Sequence, residues 1–209
     1  MAKGMFTEEV INSWVSGGGI SSSCSPEEVR TIVLDALHNT IRFNGLCRRR
    51  WTVLEHSWLV GSMAQDFAHV AMASERIQLE SRLCGLAHDF GEAIVGDIIW
   101  PLKHGKFEKS YNETYLPLEE AFREWSAVQA FGIADYPEMR KRTLEYVDHA
   151  DRLCGELEMV GVSTAGDFVT GTYIDPMFES VVGTVSEDLI EREIRSLNGR
   201  IDALKEIEE

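Results

Sequence analysis

Residues 86–97 read LAHDFGEAIVGD, with adjacent His88 and Asp89, then Glu92 and Asp97, set in an otherwise apolar run. Successive residues of an α-helix are turned by about 100°, so two neighbours can converge on one ion from its inner face. Glu92 stands i+4 from His88 and i+3 from Asp89, which brings its carboxylate to the same side as a proton acceptor rather than a ligand. Gly96 is expected to end this helix and to let Asp97 turn back toward the same pocket. A His-Asp pair alone is more often a surface or capping pair, so a metal reading needs further ligands.

The helix carrying this stretch is expected to begin near Gln78, with Leu79, Leu83, Leu86, Phe90 and Ile94 on one apolar face. Upstream, a helix from about Val53 places His56 on the same stripe as Leu59, Met63 and Phe67. His69, near the end of that helix, and His38 are assigned structural places. Downstream, a helix from about Pro137 carries Leu144, Val147, Asp151, Cys154 and Glu158 at alternating spacings of three and four. Asp151 interrupts this apolar face, and burying an unpartnered carboxylate is costly, so the position asks for a metal, an arginine or several donors. Asp148 is less in register and is the fallback ligand.

Positive charge is local. Residues 40–52, TIRFNGLCRRRWT, break the helical period and contain Arg42, Arg48, Arg49 and Arg50. Runs of like charge usually form a solvated face. Arg42 is the better candidate for a phosphate, held by paired hydrogen bonds, with the Phe43 ring beside it for a base. After Pro101, Lys103 is the candidate for a second phosphate contact, whereas Lys106 and Lys109 are assigned to solvent.

The whole chain has 209 residues and a formal net charge of -15. That length suits one domain with a sizeable core. The charge excludes a protein that coats nucleic acid or an anionic membrane, while a small anionic substrate remains compatible with local basic clusters. No signal-peptide pattern and no run approaching ~20 apolar residues is present, so a cytoplasmic protein is expected. Cys24, Cys47, Cys84 and Cys154 show no paired spacing and are expected to be reduced.

Residues 1–24 are expected to hold a short helix over 5–15 and a Gly/Ser linker through Gly17–Gly19 and Ser21–Ser23. Ser25-Pro26-Glu27-Glu28 has the residues of a capped helix start, with a helix running to about His38. Residues 117–131 predict an amphipathic helix with Leu118, Phe122, Trp125, Val128 and Phe131 inward, stopped by Gly132. Residues 161–185 are rich in Gly and Thr and predict an irregular connection, a lid or an oligomer contact, within which 168–175 is an extended candidate. From Ser186, a last helix sets Ile190, Ile194, Leu197, Ile201 and Leu204 on one stripe, expected to pack on its own domain or on an oligomer partner.

The separated His56, His88, Asp89 and Asp151 resemble the metal-binding constellation of the HD-domain phosphohydrolase superfamily, whose order is H, then HD, then D. RFNG before EHS, HDFGEAIVGD followed by PLK, and HADRLC resemble the branch containing bacterial 5'-deoxynucleotidases and phage dATP triphosphohydrolases, over roughly residues 30–160. The resemblance implies an all-α, compact HD-domain helical bundle over 25–160, followed by residues 161–209 with their C-terminal amphipathic helix. It implies that His56, His88, Asp89 and Asp151 bind a divalent transition metal, that Glu92 and Asp97 are catalytic, and that Arg42 and Lys103 hold phosphate. Two departures bear on substrate choice: Phe43 stands where the nucleotidases usually have Trp, and RRRWT replaces a more usual run before EHS.

The expected chemistry is hydrolysis of a phosphate ester or anhydride with Co, Zn or Mn as cofactor. A small-molecule nucleotide is the expected partner. The local arginines and the RFNG form favour a dATP triphosphohydrolase releasing deoxyadenosine and triphosphate, acting in the host cytoplasm if phage-encoded. A 5'-deoxynucleotidase acting on dNMPs is the alternative, and a non-catalytic HD nucleotide-binding module is the third reading. The resembled family also implies a homo-oligomer, either dimer or hexamer.

Overall fold

The computed structural model describes residues 25–45, 50–98, 103, 108–161 and 176–208. The expected helix over 5–15, the Gly/Ser linker, Cys24, Cys47, Arg48, Arg49, Lys106 and the extended candidate 168–175 lie outside the described residues.

Helix α1, Pro26–Asn39, begins as its sequence dictates. The Ser25 hydroxyl accepts the Glu28 N–H while the Glu28 carboxylate accepts the Ser25 N–H, so two otherwise unpaired donors are satisfied reciprocally. Val29, Val33, Leu34 and Leu37 form its buried face. His38 lies in its last turn, where Arg50 caps the chain end by donating to the His38 carbonyl. A tight turn over Arg42–Gly45 follows, and Ile41 pairs with Thr52 as a single antiparallel bridge. That bridge closes the RFNG segment into a loop whose ends are fixed.

Helix α2, Val53–Val70, starts at a second reciprocal cap between Thr52 and Glu55. It packs along α3, Glu75–Ala87, and α6, Tyr136–Gly161, to make the centre of the molecule. The approach of α2 and α3 is close because glycines meet there: a Cβ on Gly85 would lie 2.6 Å from the Gly61 Cα. The core joins Trp51, Leu54, Val60, Leu83, Leu86, Phe90, Phe122, Ile133 and Cys154, all essentially inaccessible to solvent. Helix α8, Glu187–Glu208, lays Ile190, Ile194, Leu197 and Ile201 against α3 and α1.

The all-α class is confirmed, and the described residues hold no strand. Four local expectations are corrected. The helix expected from Gln78 through Ile94 starts at Glu75 and stops at Ala87; residues 88–91 turn, and α4 spans only Glu92–Val95. At the stop the Ala87 carbonyl accepts the Phe90 N–H in a tighter turn and also the Tyr136 hydroxyl, and Arg123 donates to the His88 carbonyl. The helix expected over 117–131 is regular as α5, Leu116–Trp125, and is flanked by wide turns in which Leu116 N–H bonds Tyr111 and Phe131 N–H bonds Ser126. Pro117 lacks a donor for an ordinary turn on its N-terminal side, which fits the wider winding there. Leu144, expected inward, is 42% exposed. Within the expected irregular connection, Pro176–Val181 forms α7, and its fully buried Phe178 meets Trp51 edge-on with ring centroids 5.4 Å apart.

Candidate metal centre

The cluster is built where α2, the end of α3 and the middle of α6 face one another. His56 projects from the first turns of α2 and is fully buried. Its Nδ1 lies 2.6 Å from Glu158 Oε1, and a proton donated there leaves the Nε2 lone pair facing the centre. His88 caps α3, and its Nδ1 lies 2.7 Å from the Gly85 carbonyl oxygen. A carbonyl can only accept, so Nδ1 carries the proton and Nε2 again presents a lone pair. Both imidazoles are thus fixed in the same tautomer by groups behind them.

The carboxylates complete the convergence. Asp89 Oδ2 lies 3.2 Å from His88 Nε2 and 3.5 Å from His56 Nε2. Asp151 Oδ1 lies 3.1 Å from His56 Nε2 and 3.7 Å from His88 Nε2. Candidate ligand atoms of His56, His88 and Asp89 all fall within 4.8 Å of one another. His88 Nε2 and Asp89 Oδ2 are buried and make no hydrogen bond among the described residues. Buried polar atoms of this kind are normally satisfied, and a divalent cation satisfies imidazole and carboxylate together. Asp148, the fallback, projects from an exposed position of α6 one turn earlier, whereas Asp151 reaches both histidines.

The local field favours a cation. Burial alone would lower the histidine pKa values, yet nearby carboxylates outweigh it and hold His56 well above its ordinary range and His88 at about 9, so each Nε2 gives up a second proton when a cation takes its lone pair. Asp89, buried, and Asp151, half-exposed, are both held low, because the two imidazoles stabilise their charged forms. Glu92 behaves in the opposite way: burial, reinforced by the Asp89 charge, pushes it up to about 8. Its Oε1 accepts from Lys103 Nζ at 3.1 Å, and its Oε2 makes no hydrogen bond among the described residues.

The RFNG loop stands across the mouth. Arg42 Nη1 lies 3.8 Å from both Asp89 and Asp97, and its Nε donates to Glu158 at 3.0 Å. Phe43 takes a left-handed φ of 57°, held by its N–H donating to Asp97 Oδ2 at 2.8 Å. Gly96 at φ 77° ends α4 and brings Asp97 back to make that bond. Lys103 lies between Glu92 and Glu119, with its ammonium 5.7 Å from the Tyr111 ring centre. Lys109 is solvated, with its side chain 85% exposed.

The residue that sequence reasoning placed in register without a role is Glu158. It is fully buried and accepts from Trp51 Nε1 at 2.8 Å as well as from His56 and Arg42. His56, Cys154 and Glu158 are also close enough to share an ion. The Glu158 oxygens are already engaged by four donors, among them the Arg42 guanidinium and the Cys154 thiol, so the His88 side of His56 is the better cation site.

No curated protein matches the chain. No helix among the described residues is long and apolar enough to cross a membrane. Residues 34–119 match the family model of the HD domain, a span that holds Arg42, His56, His88, Asp89, Glu92, Asp97 and Lys103 but not Asp151. With the histidine and aspartate cluster at its centre, this match supports placing the chain in the HD-domain superfamily, whose domains bind divalent metals and are in general metal-dependent phosphohydrolases.

Proposed function

We propose that the chain hydrolyses deoxynucleotides, with dATP as substrate and deoxyadenosine and triphosphate as products. The carrying observation is the convergence of His56 Nε2, His88 Nε2, Asp89 Oδ2 and Asp151 Oδ1, with two of these atoms buried and unbonded among the described residues. These four residues would hold a divalent ion, and their mixed nitrogen and oxygen donors suit Co, Zn or Mn. When bound, the ion supplies Lewis-acid activation of water and of the phosphate.

The chain's own groups do the rest. Arg42 and Lys103 offset charge on the phosphates, and the Phe43 ring offers a face to the base. Asp97 fixes the loop that carries Arg42 and Phe43. Glu92, buried and with Oε2 making no hydrogen bond among the described residues, donates a proton to the departing 5' oxygen. In that step water oxygen bonds to the α-phosphorus, the bond from that phosphorus to the 5' oxygen breaks, the proton of Glu92 passes to the nucleoside oxygen, and the proton shed by the water restores Glu92. The RFNG loop and the two cations at the mouth support the triphosphate.

One observation favours a 5'-deoxynucleotidase as second reading. Arg42 and Lys103 are both already paired with carboxylates, and a monophosphate asks for fewer donors than a triphosphate. Incubating the protein with each dNTP and dNMP plus Co, Mn or Zn, and resolving the products, decides between them. Deoxyadenosine with triphosphate from dATP supports the first reading, and nucleoside with phosphate from monophosphates alone supports the second. Turnover of neither class removes both and favours a nucleotide-binding module.

A further inference from the structure

We propose that Glu158 is a positioning residue that ties the metal-holding and phosphate-holding parts of the site together, by orienting His56 with one carboxylate oxygen and Arg42 with the other. The inference rests on the phosphohydrolase reading for the roles of His56 and Arg42, and on geometry for the link between them.

Glu158 sits two turns beyond Asp151 on α6 and is fully buried. Its Oε1 faces three donors, His56 Nδ1 at 2.6 Å, Trp51 Nε1 at 2.8 Å and, more weakly, Cys154 Sγ at 3.5 Å. Its Oε2 faces Arg42 Nε at 3.0 Å. Besides Cys154 on α6 itself, those donors come from α2, the segment leading into it, and the RFNG loop. A buried carboxylate is costly without partners, and here the four donors satisfy it.

The two oxygens have separable consequences. A hydrogen-bond acceptor behind a ligating histidine fixes the ring and its tautomer, and removing such a partner typically weakens metal binding by about 10- to 100-fold. The other oxygen holds the Arg42 guanidinium by its Nε, while its Nη1 faces Asp89 and Asp97. The carboxylate therefore preorganises both halves from behind, without reaching the reacting atoms.

Glu158→Gln separates the two halves, because an amide oxygen can still accept from both His56 and Trp51 while the amide nitrogen has only protons to offer Arg42. Glu158→Ala removes both. The measurements are titration of Mn(II) into chelator-treated full-length protein, titration of tripolyphosphate into the metal-loaded protein, and the melting temperature of each variant. Expected for Glu158→Gln is Mn affinity within about 3-fold of wild type with tripolyphosphate binding weakened by roughly 10-fold or more, the scale of a lost hydrogen bond to a charged group. Glu158→Ala is expected to lose both affinities.

Parallel loss of both affinities in Glu158→Gln, together with a lower melting temperature, would reduce Glu158 to a structural residue and overturn the inference. Wild-type affinities in Glu158→Gln would overturn it as well. Wild-type protein that takes up neither Mn nor tripolyphosphate would overturn the phosphohydrolase reading itself, which separates that failure from the failure of Glu158 alone.

Discussion

The Gly85 carbonyl oxygen lies 2.7 Å from Nδ1 of His88, so the glycine that lets α3 touch α2 is also the group that sets the tautomer of His88. Helix packing and ligand orientation are therefore one piece of structure. A methyl group at Gly85 would meet the Gly61 backbone and force the two helices apart. Gly85→Ala is expected to destabilise the fold by about 1–3 kcal/mol, in the range of overpacking. Because the shift moves the carbonyl behind His88, metal affinity should fall with it. Urea unfolding and Mn titration check both, and wild-type behaviour in both would show that the contact is not restrictive.

Asp89 is the one candidate ligand whose Oδ2 faces both imidazoles and also Arg42. Asp89→Ala should abolish metal uptake and turnover together. A ligand that binds only the native state at 100 times its Kd adds about 2.7 kcal/mol to stability. Saturating Mn should thus raise the Tm of wild type by several degrees and leave that of Asp89→Ala unchanged. An equal rise in both proteins would place the ion elsewhere.

Asp97, which the resemblance casts as catalytic, also holds the loop that carries Phe43. Its Oδ2 holds the Phe43 N–H and so supports a left-handed φ at a bulky residue, a conformation costing about 1–2 kcal/mol. Asp97→Ala should release the loop and raise KM by roughly 10-fold, as expected for a lost hydrogen bond to a charged group. Asp97→Asn keeps an oxygen for the Phe43 N–H, so a KM near wild type is expected there. If Asn and Ala variants both keep KM and lose kcat equally, Asp97 acts through its charge on the reaction and not through the loop.

Several features of this site were legible before any coordinates. Period and capping residues located α1, α2 and α6, and the rule that a carboxylate in an apolar register needs a partner picked out Asp151. The same rule applied with equal force to Glu158, seven residues on and on the same face. It went unused because a glutamate at that position has no motif attached to it, and its partners Arg42, Trp51 and His56 are separated from it by more than a hundred residues. The break after Ala87 was not legible either. Nothing local in LAHDF opposes a helix; the side-chain donors at the stop, Arg123 and Tyr136, arrive from α5 and the start of α6. Leu144 shows the reverse case, a periodic apolar residue left at the surface because its side of α6 faces a groove lined by Arg123, Arg140 and Lys141.

Glu92 gives a pH signature that can be read without turnover. Its ordinary pKa of 4.5 is pushed up to about 8, first by burial and then by the charge of Asp89, while Lys103 opposes the rise. The native state therefore holds a proton that the unfolded chain has already released between these two values. Stability contributed by that proton is complete below pH 4.5, falls as pH rises toward 8, and is gone above it. In metal-free protein, Glu92→Gln removes the titration, so the stability of wild type relative to Glu92→Gln should decline steadily from pH 4.5 to 8 and then level off. Adding Mn should flatten the decline, because a cation beside Asp89 offsets the charge that helps raise Glu92. Denaturant midpoints measured across this range decide the matter: curves that stay parallel in metal-free protein would show that Glu92 is ionised throughout, and its assignment as the proton donor would fall with them.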